Sequence, residues 1–163
     1  MSSQMVNFHT DAGCFNYRVA AVITRNDEVL LFYFDGPNFW SLPGGRCDML
    51  EDSRTAIIRE CQEELSVKVV PSKLLAVVEN FFTFANEKTQ ELLFIFKVDI
   101  AKEEKIMQTS EFYANEAGES KLCKWVKISE LSEYLIMPKL FQSFLKELPH
   151  NTSHIIYHDD VTV

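Results

Sequence analysis

Gly45-Arg46-Cys47-Asp48-Met49-Leu50-Glu51-Asp52-Ser53-Arg54-Thr55-Ala56-Ile57-Ile58-Arg59-Glu60-Cys61-Gln62-Glu63-Glu64-Leu65-Ser66-Val67 decides how the chain is read. Asp52 and Ser53 are both N-cap residues, and the spacing predicts a helix from there to about Leu65. At about 100° per residue, Glu60, Glu63 and Glu64 share roughly 100° of arc on one helix face. Ile57, Ile58, Cys61 and Leu65 fall on the adjoining face, which suits burial against a sheet. Like charges at these spacings cost a helix a few tenths of a kcal/mol per pair. Arg59 offsets part of that repulsion, and a divalent cation offsets more. Magnesium takes hard oxygen ligands, usually one or two carboxylates with water and substrate phosphate. Three glutamates on one face meet that need, and a glycine upstream lets a backbone carbonyl approach the same ion. An acidic helix face alone is ordinarily just solvated, and Pro43-Gly44-Gly45 alone is an ordinary turn. Their joint spacing is what points to a metal.

Working outward, residues 19–24 and 29–34 read as a hairpin about the polar turn Arg25-Asn26-Asp27-Glu28. Residues 40–42 read as a brief strand before the Pro43-Gly44-Gly45 turn. Downstream, residues 74–84 and 91–100 read as strands joined by Ala85-Asn86-Glu87-Lys88. Residues 101–120 read as an acidic loop, and 122–126 as another strand. Ser129 opens a short helical stretch, and Pro138 suits the first turn of a helix over 140–148. Residues 154–157 close the pattern as a strand. Strands around one central helix and a late helix predict a mixed sheet with helices packed on it, as a single domain over 1–163.

The 163 residues are 47% hydrophobic and include 13 Phe, ample for a packed core. A formal net charge of -8 opposes extended nucleic-acid binding but allows a small phosphorylated ligand screened by cations. Cys14, Cys47, Cys61 and Cys123 form no CxxC pair. Their spacing suits neither a zinc site nor a disulfide framework, so they read as reduced thiols of a cytoplasmic protein. The first ten residues lack a secretory pattern, and no apolar run approaches membrane-spanning length.

Gly45, five residues, Glu51, seven residues, then Arg59-Glu60-Cys61-Gln62-Glu63-Glu64-Leu65-Ser66-Val67 closely resembles the Nudix box, G-x5-E-x7-R-E-U-x-E-E-x-G-U with U a bulky apolar residue. Gly45, Glu51, Arg59, Glu60, Glu63 and Glu64 match the fixed positions. Ser66 stands in place of the glycine, and Cys61 in place of a larger aliphatic. The 18–24 strand, the Trp40-Ser41-Leu42-Pro43-Gly44-Gly45 approach and Trp125-Val126 before a Ser-Glu-Leu helix start extend the resemblance over roughly residues 15–145. It implies a Nudix hydrolase (MutT-like, subfamily open) with an α/β fold, an α/β/α sandwich around a mixed β-sheet. It also implies dependence on Mg²⁺ (or Mn²⁺) and attack by water on a phosphorus of a nucleoside diphosphate linked to another group.

Carried over position by position, the resemblance makes Glu60 and Glu64 the main metal ligands, with Glu63 in support and the Gly45 carbonyl contributing. Glu51 and Arg59 become a pair that holds the loop against the helix. The base in this family is a box glutamate or an acid far downstream. The 101–120 segment offers Glu103, Glu104, Glu111, Glu116 and Glu119, of which Glu116 and Glu119 lie nearest the next strand. Arg18 and Arg46 are candidate phosphate contacts, and Arg46 adjoins the glycine turn. Phe34, Phe39, Trp40, Phe81, Phe82, Phe84 and Tyr113 include candidates for base stacking, though aromatics of this kind mostly serve a core. The expected substrate is a small nucleotide of the ADP-ribose or nucleotide-sugar kind. The alternatives are a nucleoside triphosphate pyrophosphohydrolase and a catalytically inactive nucleotide-binding module. Apolar segments near the N-terminus and over 138–148 suit a homodimer.

Overall fold

The computed structural model describes residues 4–116 and 118–162, with the side chains of 116 and 160–162 outside that description. Two β-sheets carry the chain. The larger is built from β1 (Asn7–Thr10), β2 (Gly13–Val22), β6 (Gly44–Arg46), β7 (Val69–Phe84), β8 (Glu87–Ile100) and β11 (Ser153–Thr162). Its order is β1-β2-β8-β7-β11, with β6 also on β2. The β2–β8 and β7–β11 pairs are parallel and the others antiparallel, which makes this central sheet mixed. The smaller sheet joins β3 (Thr24–Arg25), β4 (Glu28–Phe34), β5 (Phe39–Ser41), β9 (Glu111–Glu116) and β10 (Glu119–Lys127), all antiparallel.

Period-2 alternation splits the core into two layers. From β2, Val19 and Ala21, with Ile23 just after it, point into one layer, and Ala20 and Val22 into the other. From β4, Leu30 and Phe32 join the first, and Val29 and Leu31 the second. The first layer is covered by α1 (Ser53–Leu65) through Ala56, Ile57, Cys61 and Leu65. The second is covered by α2 (Leu140–Phe144) through Phe141 and Phe144. Helices on both sides of a mixed sheet give the α/β/α arrangement. Ile57 is fully buried, and its truncation to Ala would cost about 2–5 kcal/mol.

Several elements differ from the sequence reading. Residues 19–22 belong to the central sheet, and only Thr24–Arg25 turns back on β4 across Asn26-Asp27. Of the expected Pro43-Gly44-Gly45 turn, the two glycines instead open β6. The expected loop over 101–120 contains a 3-10 turn at Lys105–Gln108 and the strand β9. There Phe112 and Ala114 face the core while Glu111, Tyr113 and Asn115 face out, an alternation hidden by its polar composition. The turn between β7 and β8 narrows to Ala85-Asn86, both with positive φ as a two-residue hairpin turn requires. The late helix stops at Phe144 rather than at residue 148. Ile58 lies at the solvent edge of α1 and not in its buried stripe. Among the described residues, no helix is long and apolar enough to cross a membrane.

Candidate functional site

The site is assembled where β6 runs between β2 and α1. β6 pairs antiparallel with β2, placing Gly44 opposite Ala20, Gly45 opposite Val19 and Arg46 opposite Arg18. The two glycines serve different needs. Gly44 has φ of +142°, and a Cβ there would overlap the Val19 carbonyl oxygen. Gly45 lies against the helix, and a Cβ there would overlap the Glu60 carboxylate. The chain then turns through Leu50 (φ +68°) into the helix cap. Asp52 accepts hydrogen bonds from the Arg54 and Thr55 N–H groups at 3.0 and 2.9 Å, satisfying two donors of the first turn.

Arg59 ties these pieces together. Its Nε and Nη2 donate to the two oxygens of Glu51 at 2.9 and 2.8 Å, a bidentate fork. Nη2 also donates to the Arg46 carbonyl at 2.9 Å, and Nη1 donates to Glu60 at 2.8 Å and Glu63 at 3.1 Å. Glu51 in turn accepts from the Asp48 N–H at 2.9 Å. The guanidinium therefore clamps β6, the loop and the helix in one arrangement. Its hydrogen bonds hold the Glu51 carboxyl below the usual carboxylate range, and those to Glu51 and Glu60 hold Arg59 firmly protonated.

The helix separates its glutamates more sharply than the helical wheel implied. Glu60 and Glu64 are only 6% and 3% exposed and lie within the buried face, between Ala56 and Cys61. Glu63 sits outside it with a side chain 47% exposed. Glu64 accepts from the Gly44 N–H at 2.9 Å and pairs with Lys121 of β10 at 3.2 Å. Burial, with a contribution from the Glu60 charge, pushes the Glu64 carboxyl up to about 7 against the lowering influence of Lys121 and Gly44. Among the described residues, four carboxylates, Glu51, Glu60, Glu63 and Glu64, thus meet two cations, Arg59 and Lys121, an excess of two carboxylates (4 − 2). Buried hard oxygens with that excess, beside a glycine backbone, fit a divalent cation. Lys121 was not legible as a site residue, because it stands 57 positions from Glu64 in an otherwise ordinary strand.

Of the candidate bases, Glu119 is exposed at the first position of β10, two residues before Lys121 and so on the same strand face. Glu116 is its ladder partner, and its side chain lies outside the described residues. Arg18 and Arg46 are brought together as a cross-strand pair and both line a cavity of about 650 Å³. Arg18 lies 3.7 Å from Glu91, and Arg46 donates to Asn16 at 3.2 Å. Among the described residues, Arg18 Nε and Asn80 Oδ1 are buried there without a hydrogen-bond partner, although Asn80 Nδ2 donates to Glu91 at 3.2 Å. Phe34, Phe39, Phe82 and Phe84 line the same cavity. Trp40 instead packs with Tyr33 and Tyr134, Phe81 stacks on His158, and Tyr113 is exposed. All four cysteines are free and buried.

Comparison with known proteins places this geometry. A family model of the NUDIX domain matches residues 15–148. YjhB of Bacillus subtilis (strain 168), a protein named as an ADP-ribose pyrophosphatase, is 32% identical over 62 residues, which is 38% of this chain and 30% of YjhB. This chain therefore aligns with under a third of that relative's length. A crystal structure of a MutT protein from Methanosarcina mazei Go1 superposes with a TM-score of 0.58 at 22% identity, covering 81% of this chain and 91% of that one. An ADP-ribose pyrophosphatase from Streptococcus suis 89-1591 superposes with a TM-score of 0.51 at 15% identity, covering 86% and 98%. At these identities the two structures share the fold.

Proposed function

This chain belongs to the NUDIX family, and from that premise we propose that it is a hydrolase that cleaves the pyrophosphate bond of a nucleoside diphosphate linked to a second moiety, of the ADP-ribose or nucleotide-sugar kind, in a Mg²⁺-dependent reaction. The observation that carries the proposal is the pair of buried carboxylates, Glu60 and Glu64, packed against the Gly44-Gly45 backbone. Glu60, Glu64 and the Gly45 carbonyl are the groups that would hold the cation, with Glu63 at its exposed side. Bound there, a divalent cation supplies charge neutralisation for phosphate oxygens and acidifies a water.

The chain's own residues do the rest. Arg59 positions Glu60 and Glu63 through Nη1 and fixes the loop through Glu51. Arg46 follows Gly45 directly and, with Arg18, presents guanidinium groups to a phosphate in the cavity. The four phenylalanines on the cavity wall suit a base or sugar face. Water adds to one phosphorus, the P–O bond of the anhydride breaks, and the bridging oxygen leaves on the second phosphate. The proton lost by water passes to a carboxylate, for which Glu119, on the Lys121 face of β10, and Glu116 are the downstream candidates. The products are a nucleoside monophosphate and the phosphorylated second moiety.

The diphosphate-linked class is supported by the pyrophosphatase name of YjhB and by a cavity of ligand size beside Arg46. A nucleoside triphosphate substrate is the second reading, because Arg18 and Arg46 would suit its phosphates as well. A panel of ADP-ribose, nucleotide sugars, dinucleoside polyphosphates and nucleoside triphosphates, each with and without Mg²⁺, separates them by product. Turnover of triphosphates alone would overturn the first reading.

A further inference from the structure

Away from the box, His9, Cys14 and Glu87 converge on one face of the central sheet. The register explains why. His9 and Cys14 are direct partners across the antiparallel β1–β2 ladder, so their side chains share a face. Cys14 pairs with Thr89 across the parallel β2–β8 ladder, and Glu87, two residues before Thr89, points the same way. His9 Nδ1 lies 2.7 Å from Glu87 Oε1, and one ligand atom from each of the three residues falls within 4.8 Å of the others.

We propose that His9 Nδ1, Cys14 Sγ and Glu87 form a zinc site. One nitrogen, one sulfur and one oxygen suit a borderline-soft divalent ion, and the thiolate disfavours magnesium. A tetrahedral zinc, with bonds of about 2.0–2.3 Å, places its ligand atoms roughly 3.3–3.6 Å apart. The His9–Glu87 contact opens to that spacing and the sulfur closes to it. His9 and Glu87 have the freedom to adjust, with side chains 61% and 41% exposed, while Cys14 stays buried and fixed. Asn7 Nδ2 donates toward Cys14 Sγ at 3.3 Å, a hydrogen bond that orients the sulfur. Binding deprotonates the Cys14 thiol, and the proton goes to solvent. Water takes the fourth position, as in sites with three protein ligands. All three residues line the cavity shared by Arg18 and Arg46, so an occupied site alters the wall of that cavity. The proposal does not depend on the hydrolase reading.

Cobalt(II) tests it, because a thiolate ligand gives a near-ultraviolet charge-transfer band that a carboxylate site does not. Titration of the full chain is expected to produce the band at about one equivalent, with zinc displacing the cobalt and excess magnesium leaving it unchanged. Cys14→Ala should abolish the band, and His9→Ala and Glu87→Gln should each weaken binding at least about tenfold. Glu60→Gln, at the separate carboxylate cluster, should leave it intact. His9 is exposed, so its variant decides the matter even where Cys14→Ala folds poorly. Absence of the band, its survival in Cys14→Ala, or unchanged affinity in both His9→Ala and Glu87→Gln would overturn the three-ligand site.

Discussion

The backbone of Gly45 lies so close to Glu60 that a Cβ at residue 45 would overlap the carboxylate, while a Cβ at Gly44 would overlap the backbone of Val19. The two substitutions should therefore separate. Gly44→Ala collides with fixed backbone at a positive φ and is expected to destabilise the fold by about 1–3 kcal/mol or more. Gly45→Ala meets the far end of a side chain and is expected to displace Glu60 at a smaller cost in stability, with Mg²⁺ affinity falling at least about tenfold. Thermal unfolding and calorimetric Mg²⁺ titration of both variants check this. Equal stability losses with unchanged Mg²⁺ binding would contradict it.

Arg59→Lys keeps the charge and loses the fork. Lys has no planar pair of donors to match Glu51 while reaching Arg46 O, Glu60 and Glu63. A loss of about 1–3 kcal/mol in denaturant unfolding is expected, together with lowered turnover, as Glu60 and Glu63 lose their common anchor. Wild-type stability would show that the clamp is dispensable.

The raised Glu64 carboxyl makes the stability of the metal-free protein depend on pH. Its folded value, about 7, exceeds the ordinary 4.5, so the folded state binds its proton more tightly than the unfolded chain. This contribution is fully present below about pH 4.5 and is lost as pH rises through 7, by on the order of a few kcal/mol. Chelator-treated protein should lose melting temperature between those values. Mg²⁺ should restore it at pH 7–8, and Glu64→Gln should flatten the profile.

Ser66 closes α1 in the left-handed conformation, φ 56° and ψ 29°, with its N–H donating to Gln62 O at 3.0 Å. The cap geometry that glycine usually supplies is thus kept by a residue with a Cβ, at a cost of about 1 kcal/mol. Ser66→Gly is expected to raise stability by about that amount and leave turnover unchanged, as melting curves and initial rates would show.

Much of the site was legible because one local segment encodes it. A cap at Asp52 or Ser53 and a helix end near Leu65 follow from spacing within residues 45–67, and the Glu51–Arg59 pair from the resemblance; the cap is Asp52, the helix ends at Leu65 and the two side chains pair. What was not legible is non-local. Nothing in the segment 101–120 shows that Phe112 and Ala114 would find a core to face, so polar composition hid β9. Lys121 reaches Glu64 only through the tertiary packing that brings β10 and α1 together. The glycines read as a turn because their strand character comes from pairing with β2. Similarly, Glu87 lies far from His9 and Cys14 in the sequence, and the three meet through strand register alone.

The measurement that bears most directly on the central claim is product analysis for ADP-ribose and nucleotide sugars incubated with wild-type protein and with Glu60→Gln, each with and without Mg²⁺. The account predicts release of a nucleoside monophosphate by the wild type only when Mg²⁺ is present, and a loss of at least about a hundredfold in turnover for the variant with its circular dichroism unchanged. Undiminished turnover in Glu60→Gln, or hydrolysis independent of any divalent cation, would contradict it.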